Sequence, residues 1–419
     1  MEGYIFLTHY CNARCPFCVH PDMEVLTLDG FKKVGELTIG DKVLGLNQIN
    51  TVTAVVKHWY KGELIKIKPY YLPEIWLTAN HRVYVLRGSK IVKVPASEIR
   101  ENDYLIIEIP TDIKDISEVN IEEKIPFYAK YTLCRNPETL GFSQAETAIL
   151  FAIAENRYGA GKCRSLRWRG LLRKTKLPEH ELKTSLDSLI EKGFVKSYTT
   201  SPQYPLYTLS KKFIYTFGSR IKWNIKTIKI NDNILRLLGY YLAEGNISGR
   251  STPSRQHHPL SKVCFTFSLS EQKYVDDILN ITQHEFGLKT TVGINRVNKT
   301  YQLAINSKPL ARYIHYNFDH LSYKKKIPAE FLLLPPKKQV QILCGLFRGD
   351  GFLKPVKTPR RKYVKTFAFV TTSPALAGAV MIMLMRLGII VNFRKRPPVG
   401  KAKHNNYMFQ TNQEQELSK

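Results

Sequence analysis

The chain has 419 residues, enough for two to four domains with substantial cores. Lysine and arginine together number 63 against 35 aspartates and glutamates, and the resulting net charge of +28 favours a polyanionic partner, because neutralising phosphates releases condensed counterions. No apolar run is long and uninterrupted enough to span a membrane, no N-terminal signal pattern is present, and seven irregularly placed cysteines argue against a disulfide framework, so we expect a cytoplasmic protein without a membrane partner.

Three cysteines follow the first predicted strand. The strand is expected over Tyr4–His9, and Cys11, Cys15 and Cys18 come after it with the spacing C-x3-C-x2-C. This pattern resembles the cluster loop of radical S-adenosylmethionine enzymes, which implies that the three thiolates bind a [4Fe–4S] cluster whose remaining iron binds S-adenosylmethionine. A zinc site is the alternative, but it would need a fourth ligand, and the sequence offers none nearby.

The barrel of repeated strands and helices expected of such an enzyme does not follow Cys18. We therefore predict that residues 1–17 are the beginning of a host protein, and that the cluster and S-adenosylmethionine belong only to the complete host. A radical S-adenosylmethionine enzyme in its own right remains an alternative, which the absent barrel argues against.

Short strands joined by Gly and Asp turns, such as Asp29-Gly30, predict an all-β domain over residues 18–125. A cysteine opens this domain, and a T-x-N-H pattern, Thr78 to His81, lies further along. The combination resembles an intein, whose splicing domain has the all-β Hint fold. The resemblance implies that Cys18 is the first intein residue and that Thr78 and His81 belong to the second sequence block.

The residue types suit the first step of protein splicing. A thiolate at Cys18 can attack the carbonyl of Phe17 and convert the peptide bond into a thioester, because a thiol has a pKa near neutrality. The amide nitrogen leaves only when protonated, and His81 can supply that proton. Thr78 and Asn80 are expected to orient the amide. In isolation His81 would be interpreted as a surface-turn histidine, and the surrounding pattern is what argues otherwise.

Three helices and a β-hairpin are predicted within residues 138–215, with the second helix over Leu166–Lys174. This order resembles a winged helix, whose third helix usually enters the major groove of DNA. The resemblance implies that Lys183, Thr184 and Lys192 contact DNA and that Lys196 lies on or near the wing. A winged helix that docks a protein is the alternative.

Two matched apolar runs dominate residues 219–419. Leu237–Gly245 and Ile342–Gly351 are both predicted helices that carry small residues at contact spacing and end in one carboxylate followed by glycine. An alternating strand, a helix and a Gly-apolar step follow each run, at Phe265–Ser270 and Phe367–Thr372 for the strands, so we predict an internal repeat. Face-to-face packing of the two helices would bring Glu244 and Asp350 side by side, as oxygen ligands for hard divalent cations.

The two motifs resemble those of LAGLIDADG homing endonucleases, an α/β fold with a pseudo-two-fold repeat. The resemblance implies that Glu244 and Asp350 are catalytic residues that bind Mg²⁺ and cut double-stranded DNA, and that each repeat lays a curved sheet into the major groove. Lys299 and Lys403 stand at comparable places in the two repeats and are candidates for polarising the scissile phosphate or its water. The candidate DNA-binding residues on the sheets are Arg296, Arg394, Lys395 and Arg396.

An intein should end in His-Asn before Cys, Ser or Thr, and this sequence ends at Lys419 without that pattern. Three explanations stay open: the sequence continues, the remainder is encoded separately, or the splicing domain has decayed. We expect a monomer whose partners are double-stranded DNA and the missing C-terminal segment. The alternative from another class is a non-catalytic DNA-binding regulator in which the helix pair is merely an interface.

Overall fold

The computed structural model contains an N-terminal β unit, an α/β unit, and an insert of helices and strands between them. The predicted cluster ligands and splicing nucleophile, Cys11, Cys15 and Cys18, lie outside the described residues. No helix in the described part of the chain is long and apolar enough to cross a membrane. The described residues are 2–7, 19–45, 48–69, 72, 74–106, 109, 111, 113–126, 130–133, 140–155, 165–198, 205–248, 260–356, 364–398, 400 and 402–411.

Short antiparallel strands form the N-terminal β unit, as the alternation of apolar runs with Gly and Asp predicts. Val34, Val52 and Val85 are buried inside it. The strands are β1 (Glu2–Leu7), β2 (Glu24–Thr27), β3 (Gly30–Lys33), β4 (Lys42–Gly45), β5 (Gln48–Thr51), β6 (Ala54–Trp59), β7 (Leu64–Ile67), β8 (Ile75–Thr78), β9 (Arg82–Arg87), β10 (Lys90–Pro95) and β11 (Tyr104–Leu105). Their sheets have the orders β1-β6, β3-β2-β4-β5, β7-β8 and β10-β9-β11.

The insert leaves and re-enters the fold through two antiparallel strand pairs, β12 with β18 and β13 with β17, so its two ends lie side by side. Its elements, with these flanking strands, are β12 (Glu118–Asn120), β13 (Tyr131–Leu133), α1 (Gln144–Glu155), β14 (Ser165–Arg167), α2 (Trp168–Thr175), α3 (Glu179–Glu191), β15 (Val195–Tyr198), β16 (Leu206–Leu209), α4 (Lys211–Phe217), β17 (Gly218–Arg220) and β18 (Thr227–Lys229).

Helices α1, α2 and α3 pack against a three-stranded sheet with the order β14-β16-β15. The sequence predicts a helix from Leu166, but Leu166 lies in β14, where it pairs with Tyr207 and its side chain is buried. Strand β14 therefore adds an edge to the predicted hairpin, because the apolar side chain at Leu166 covers the insert core better from the sheet. The core contains Ile149, Leu171, Leu186 and Phe213.

Two repeats of the order helix, two strands, helix and two strands build the α/β unit, and the first repeat ends with an additional helix. The first contains α5 (Asp232–Glu244), β19 (Gly245–Ser248), β20 (Lys262–Ser268), α6 (Gln272–Phe286), β21 (Thr290–Asn295), β22 (Thr300–Asn306) and α7 (Lys308–Phe318). A short helix, α8 (Ala329–Leu332), precedes the second repeat. That repeat contains α9 (Pro336–Asp350), β23 (Gly351–Val356), β24 (Val364–Thr371), α10 (Pro374–Arg386), β25 (Asn392–Arg396) and β26 (Asn406–Thr411).

Equivalent strand orders confirm the repeat: β19-β20-β22-β21 in one sheet and β23-β24-β26-β25 in the other. The sequence matches Phe265 of the first repeat with Phe367 of the second, but the strand pairing in the structure differs from this match by two residues. Gly245, after the first motif, pairs with Phe265, whereas Gly351, after the second, pairs with Phe369. Phe369 rather than Phe367 is therefore the counterpart of Phe265.

Residues near 120 belong to the core of the α/β unit. Val119, Ile121 and Ile125 are buried in the same cluster as α5 and α9, and Lys114 donates its backbone N–H to the carbonyl of Leu333 over 2.7 Å. The C-terminal end of the predicted N-terminal unit, residues 18–125, therefore packs into the core of the α/β unit, and the boundary at residue 125 stays a prediction.

The β2–β3 turn packs directly on helix α10. Gly30 and Gly378 approach so closely that a Cβ built on Gly378 would lie 2.4 Å from the Cα of Gly30. Phe31 stacks on Phe393 with ring centroids 5.0 Å apart, and Lys395 Nζ lies 2.7 Å from Glu24 Oε1. These contacts join the N-terminal β unit to the second repeat.

Candidate functional site

Two helix ends meet at the centre of the α/β unit. Helix α5 begins at the Asn231 cap, whose side chain accepts the N–H of Ile234 over 3.0 Å, and α9 begins with Pro336, which suits the first turn. Both helices end at an acid followed by a glycine in extended conformation. The predicted helix pair is therefore present, with Glu244 and Asp350 as the last residues of α5 and α9.

Glycines set the distance between the helices. A Cβ on Gly239 would lie 2.2 Å from the carbonyl oxygen of Ile342, and one on Gly345 would lie 2.1 Å from the carbonyl oxygen of Arg236. At the far end, a Cβ on Gly349 would lie 3.1 Å from the Cγ of Glu244. Backbones approach this closely only where no side chain intervenes. The small residues therefore bring the two acids to one place.

The two carboxylates repel each other in a partly desolvated pocket. Burial raises the pKa of Glu244 to about 7, and the charge of Asp350 contributes to this rise, with a smaller contribution from Glu271. Asp350 is accessible to solvent, but the surrounding protein still displaces enough water to raise the pKa of its carboxyl above its usual value. A divalent cation bound between the acids would relieve this repulsion, and their oxygens are the ligands that such a cation prefers.

Lys325 is a third charged group at this site, and it was not among the residues predicted from sequence. Its buried ammonium donates to the carbonyls of Tyr241, Leu242 and Ala243 at 2.9, 3.0 and 3.0 Å, where α5 ends. Burial lowers the pKa of Lys325 to about 8, and the charges of Asp350 and Glu244 oppose that effect. The available signal was Lys324-Lys325-Lys326 before Ile327-Pro328, but a lysine run is usually a solvated surface.

An ion-pair network within about two turns of the acids holds α5, α6 and α9 together. Arg236 donates Nε and Nη2 to the two oxygens of Asp277 at 2.7 and 2.9 Å. Tyr240 donates its hydroxyl to Asp277 over 2.9 Å, and Arg348 donates to the Tyr240 hydroxyl over 2.9 Å. Arg348 lies two residues before Asp350. The network therefore fixes the end of α9 relative to α5.

No cluster of three or more His, Cys, Asp or Glu side chains suited to a metal ion occurs among the described residues. Glu244 and Asp350 thus supply two carboxylates, and any further ligands of a cation at this site would come from solvent or from a bound molecule. Such an incomplete ligand set is typical of hard cations that act on phosphates.

The first sheet has one face packed on the helices and the opposite face largely exposed. In the first repeat, Val263, Phe265 and Phe267 face the core, so Thr266 and Gln302, which pair with each other, lie on the opposite face. In the second repeat, Phe393 faces the core, and Arg394 and Arg396 alternate with it on the open face. Polar side chains therefore lie on the exposed face of the first sheet, and Arg394 and Arg396 lie on the second together with the exposed Val370.

Two other predicted DNA-binding residues, Lys395 and Arg296, lie in surroundings that differ from those of Arg394 and Arg396. Lys395 shares the face of Phe393, pairs with Glu24, and lies 5.9 Å above the Tyr407 ring. Its ammonium therefore binds the N-terminal β unit, and its side chain does not lie on the face that carries Arg394 and Arg396. Arg296 is exposed in the turn between β21 and β22.

Lys299 and Lys403 lie in equivalent connections, as the sequence predicts. Lys299 is in the β21–β22 turn with a φ of 51°, and Lys403 is in the connection between β25 and β26. Both are exposed. The neighbouring His404 stacks on Tyr323, with ring centroids 4.1 Å apart. The structure gives neither lysine a contact with Glu244 or Asp350.

The T-x-N-H stretch forms a tight turn in the N-terminal β unit. Thr78 is fully buried, its hydroxyl donates to Asn80 Oδ1 over 3.0 Å, and the His81 N–H donates to the Thr78 carbonyl over 2.9 Å. Val19 forms a β-bridge with Leu77, and the N–H of His20 donates to the Trp76 carbonyl over 3.0 Å. The residue after Cys18 therefore pairs with the residue before Thr78.

On the insert, the four predicted DNA-binding residues are exposed but differ in their partners. Lys192 Nζ lies 2.6 Å from Glu146 Oε1, and the Thr184 hydroxyl donates to the carbonyl of His180 over 2.9 Å. Lys183 lies on α3 and Lys196 on β15. The ion pair of Lys192 with Glu146 thus joins the end of α3 to α1 within the insert.

Residues 337–417 match the LAGLIDADG-like domain family. The chain is 26% identical to an uncharacterised protein of Methanocaldococcus jannaschii, over 90% of this chain and 40% of that protein. It is 23% identical to an ATP-dependent DNA helicase of Thermococcus kodakarensis, over 90% of this chain and 28% of the helicase. It is 24% identical to a DNA polymerase of Thermococcus litoralis, over 83% of this chain and 21% of the polymerase.

The chain therefore spans less than half the length of these relatives. Among solved structures, the homing endonuclease I-DmoI is similar with 17% identity and a TM-score of 0.32, over 45% of this chain and 93% of that protein.

Proposed function

We propose that the chain is a site-specific DNA endonuclease of the LAGLIDADG type, carried by an intein and specific for the uninterrupted host gene. The observation that carries this proposal is the placement of Glu244 and Asp350 at the ends of two helices in contact through glycines. Two four-stranded sheets of equivalent strand order follow these helices, and the charge of +28 favours a long polyanion.

Glu244 and Asp350 would hold Mg²⁺, which supplies charge stabilisation to a phosphodiester and its attacking water. The chain's own residues prepare the site. Lys325 offsets part of the repulsion between the carboxylates, and the Asp277 network keeps α9 in register with α5. Lys299 and Lys403 are proposed to contact phosphates next to the cut. Arg296, Arg394 and Arg396 are proposed to contact DNA along the sheets.

The pattern of relatives supports an inserted element. Most of this chain matches a minor part of a helicase and of a polymerase, proteins with different names and different tasks. A segment that recurs inside dissimilar hosts is expected of a mobile intein rather than of a shared catalytic domain. The cluster-loop spacing of Cys11, Cys15 and Cys18 points to a radical S-adenosylmethionine host here.

The splicing half of the proposal rests on the turn from Thr78 to His81. The pairing of Val19 with Leu77 supports it, because the chain next to the predicted scissile bond runs beside that turn. Cys18 would attack the Phe17 carbonyl with its thiolate. The peptide nitrogen leaves with a proton from His81, so that a thioester replaces the amide. An external thiol should then release residues 1–17, and Cys18→Ala should abolish the release.

Cleavage of a plasmid that carries the uninterrupted host gene tests the endonuclease proposal. The purified chain should linearise this plasmid with Mg²⁺ present and leave it intact in EDTA, while a plasmid that still contains the intein sequence stays uncut. The regulator alternative expects tight binding without cutting under all these conditions. Binding without linearisation would therefore replace the proposed function with that alternative.

A further inference from the structure

The two helices α2 and α3 of the insert carry opposite charges. Every charged residue from Arg167 to Lys176 is basic, and all five are exposed. Helix α3 contains four acids and a single lysine, Lys183. The five bases, called the α2 surface below, are Arg167, Arg169, Arg173, Lys174 and Lys176.

Packing leaves the α2 surface open to a partner. Leu171 is fully buried in the insert core, so the helix presents its other sides to solvent. Arg169 and Arg173 are one turn apart on α2, and Arg173 and Lys174 occupy its last turn, where positive charge is favourable. Among the described residues, no ion pair involves the five bases of this surface. Their charges are therefore not neutralised within the described fold.

Helix α3 is a poor ligand for a phosphate backbone. Leu182, Leu186 and Leu189 are buried, which leaves Lys183 on the outer surface with Asp187 and Glu191 exposed around it. Acids at these places repel phosphates. The repulsion would be strong for a helix inside a groove, because its acids would lie within the Debye length of about 8 Å of the phosphates.

Two of the lysines that follow α3 bind within the insert. Lys192 is paired with Glu146, and Lys212 donates its ammonium to the Lys192 carbonyl over 2.8 Å while lying 4.8 Å above the Phe194 ring. Both ammonium groups therefore bind partners inside the insert. The helix that a winged helix would normally place in the groove is thus the less suitable one here.

We propose that the insert binds the phosphate backbone of duplex DNA through the α2 surface, with α3 outside the groove. This inference rests on the proposed function, in which the chain binds duplex DNA. The insert is anchored beside the α/β unit, since Arg312 donates to the Tyr131 carbonyl over 3.0 Å and Tyr131 meets the Tyr215 ring at 5.9 Å. The α2 surface would lengthen the interface with DNA without reading bases, because arginine and lysine contacts to phosphate carry no sequence information.

The salt dependence of binding tests this inference in the full-length chain. The probe is a fluorescently labelled duplex containing the uninterrupted host site, measured in EDTA so that it stays uncut. Arg169→Ala/Arg173→Ala/Lys174→Ala should reduce the slope of log K against log salt by about 2.7, because each phosphate that is no longer neutralised reduces the slope by about 0.9. Affinity at low salt should fall at least tenfold. An unchanged melting temperature verifies that the variant folds.

Two α3 variants serve as controls. Lys183→Ala should leave the slope unchanged, and Glu181→Gln/Asp187→Asn/Glu191→Gln should change affinity little although it alters three charges. A reduced slope in Lys183→Ala, with a parental slope in the α2 variant, would overturn the inference in favour of α3. Parental slopes in all variants would also overturn it and indicate that the insert docks a protein. A parent chain that binds no duplex would instead contradict the proposed function itself.

Discussion

Gly239 and Gly345 face each other across the crossing of α5 and α9, and a Cβ on Gly239 would lie 2.8 Å from the Cα of Gly345. This close approach explains why both positions lack a side chain. It also links stability to the site, since the same crossing brings Glu244 and Asp350 together at the helix ends.

Gly345→Ala should destabilise the fold by about 1–3 kcal/mol, because its methyl group would meet the carbonyl of Arg236 and neither backbone can move easily. Denaturant unfolding of the parent and variant measures this. Gly293→Ala is the matched control, since a Cβ there would have its nearest neighbour at 3.8 Å. Equal destabilisation of the two variants would show that the close crossing is not the cause.

Asp277→Asn should destabilise the fold by about 1.5–3 kcal/mol, because Arg236 loses its charged partner and one amide oxygen cannot replace both carboxylate oxygens that accept from Arg236 and Tyr240. It should also reduce cleavage, since Arg348 then holds the end of α9 less firmly. The neighbouring Asp276 is exposed and accepts from Gln272 on its own helix, so Asp276→Asn should behave as the parent in unfolding and cleavage. Parental behaviour of Asp277→Asn would show that the network does not position α9.

Lys325→Met should slow DNA cleavage by about a hundredfold, comparable with the removal of one stabilising electrostatic group from an active site. The pKa of Glu244 should rise further, because the charge of Lys325 lowers it in the parent. The acidic limb of the pH–rate profile should therefore move to higher pH, which a purely structural defect would not cause. Lys324→Met replaces an exposed neighbour and should leave the profile in place.

Without metal, Glu244 should make the protein less stable as pH rises from about 4.5 to about 7. Burial and the charge of Asp350 raise its folded-state pKa to about 7, so over this range the folded state holds a proton that the unfolded chain has released. The midpoint of urea unfolding in EDTA should fall less steeply with pH in Glu244→Gln than in the parent.

The lowered pKa of Lys325 contributes above about pH 8 and does not interfere with this acid-range measurement. Adding Mg²⁺ at pH 7 should restore much of the stability in the parent only. If the unfolding midpoint depends on pH identically in parent and variant, the pKa of Glu244 is not raised and its carboxyl is ordinarily solvated.

The helix pair could be predicted from sequence because its signal is local and repeated. Small residues at contact spacing and an acid before glycine specify α5 and α9, and two matching copies specify their partnership. The strand alternation predicted the two sheets, but it did not fix their register. The pairing of Gly351 with Phe369 depends on contacts between distant segments, so the two-residue shift was not visible.

Long-range partners account for the other differences. Lys325 looked like one lysine among three, and only the fold places its ammonium under the carbonyls that end α5. The ion pair of Lys395 with Glu24 could not be predicted, because the two residues lie 371 positions apart in the chain. Residues 119–125 carried no motif, yet their apolar side chains complete the core of the α/β unit. In each case the deciding neighbour is far away in the chain.

The most direct test of the proposed metal site compares Glu244→Gln, Asp350→Asn and the control Glu271→Gln in cleavage of the uninterrupted host gene with Mg²⁺. Glu271 also raises the pKa of Glu244, but it caps a short turn at Ser268 instead of ending a motif helix. We predict that neither motif variant linearises the plasmid although both bind it, and that Glu271→Gln cuts as the parent does. Full cutting by Glu244→Gln or Asp350→Asn would contradict the assignment of these two carboxylates as the metal site.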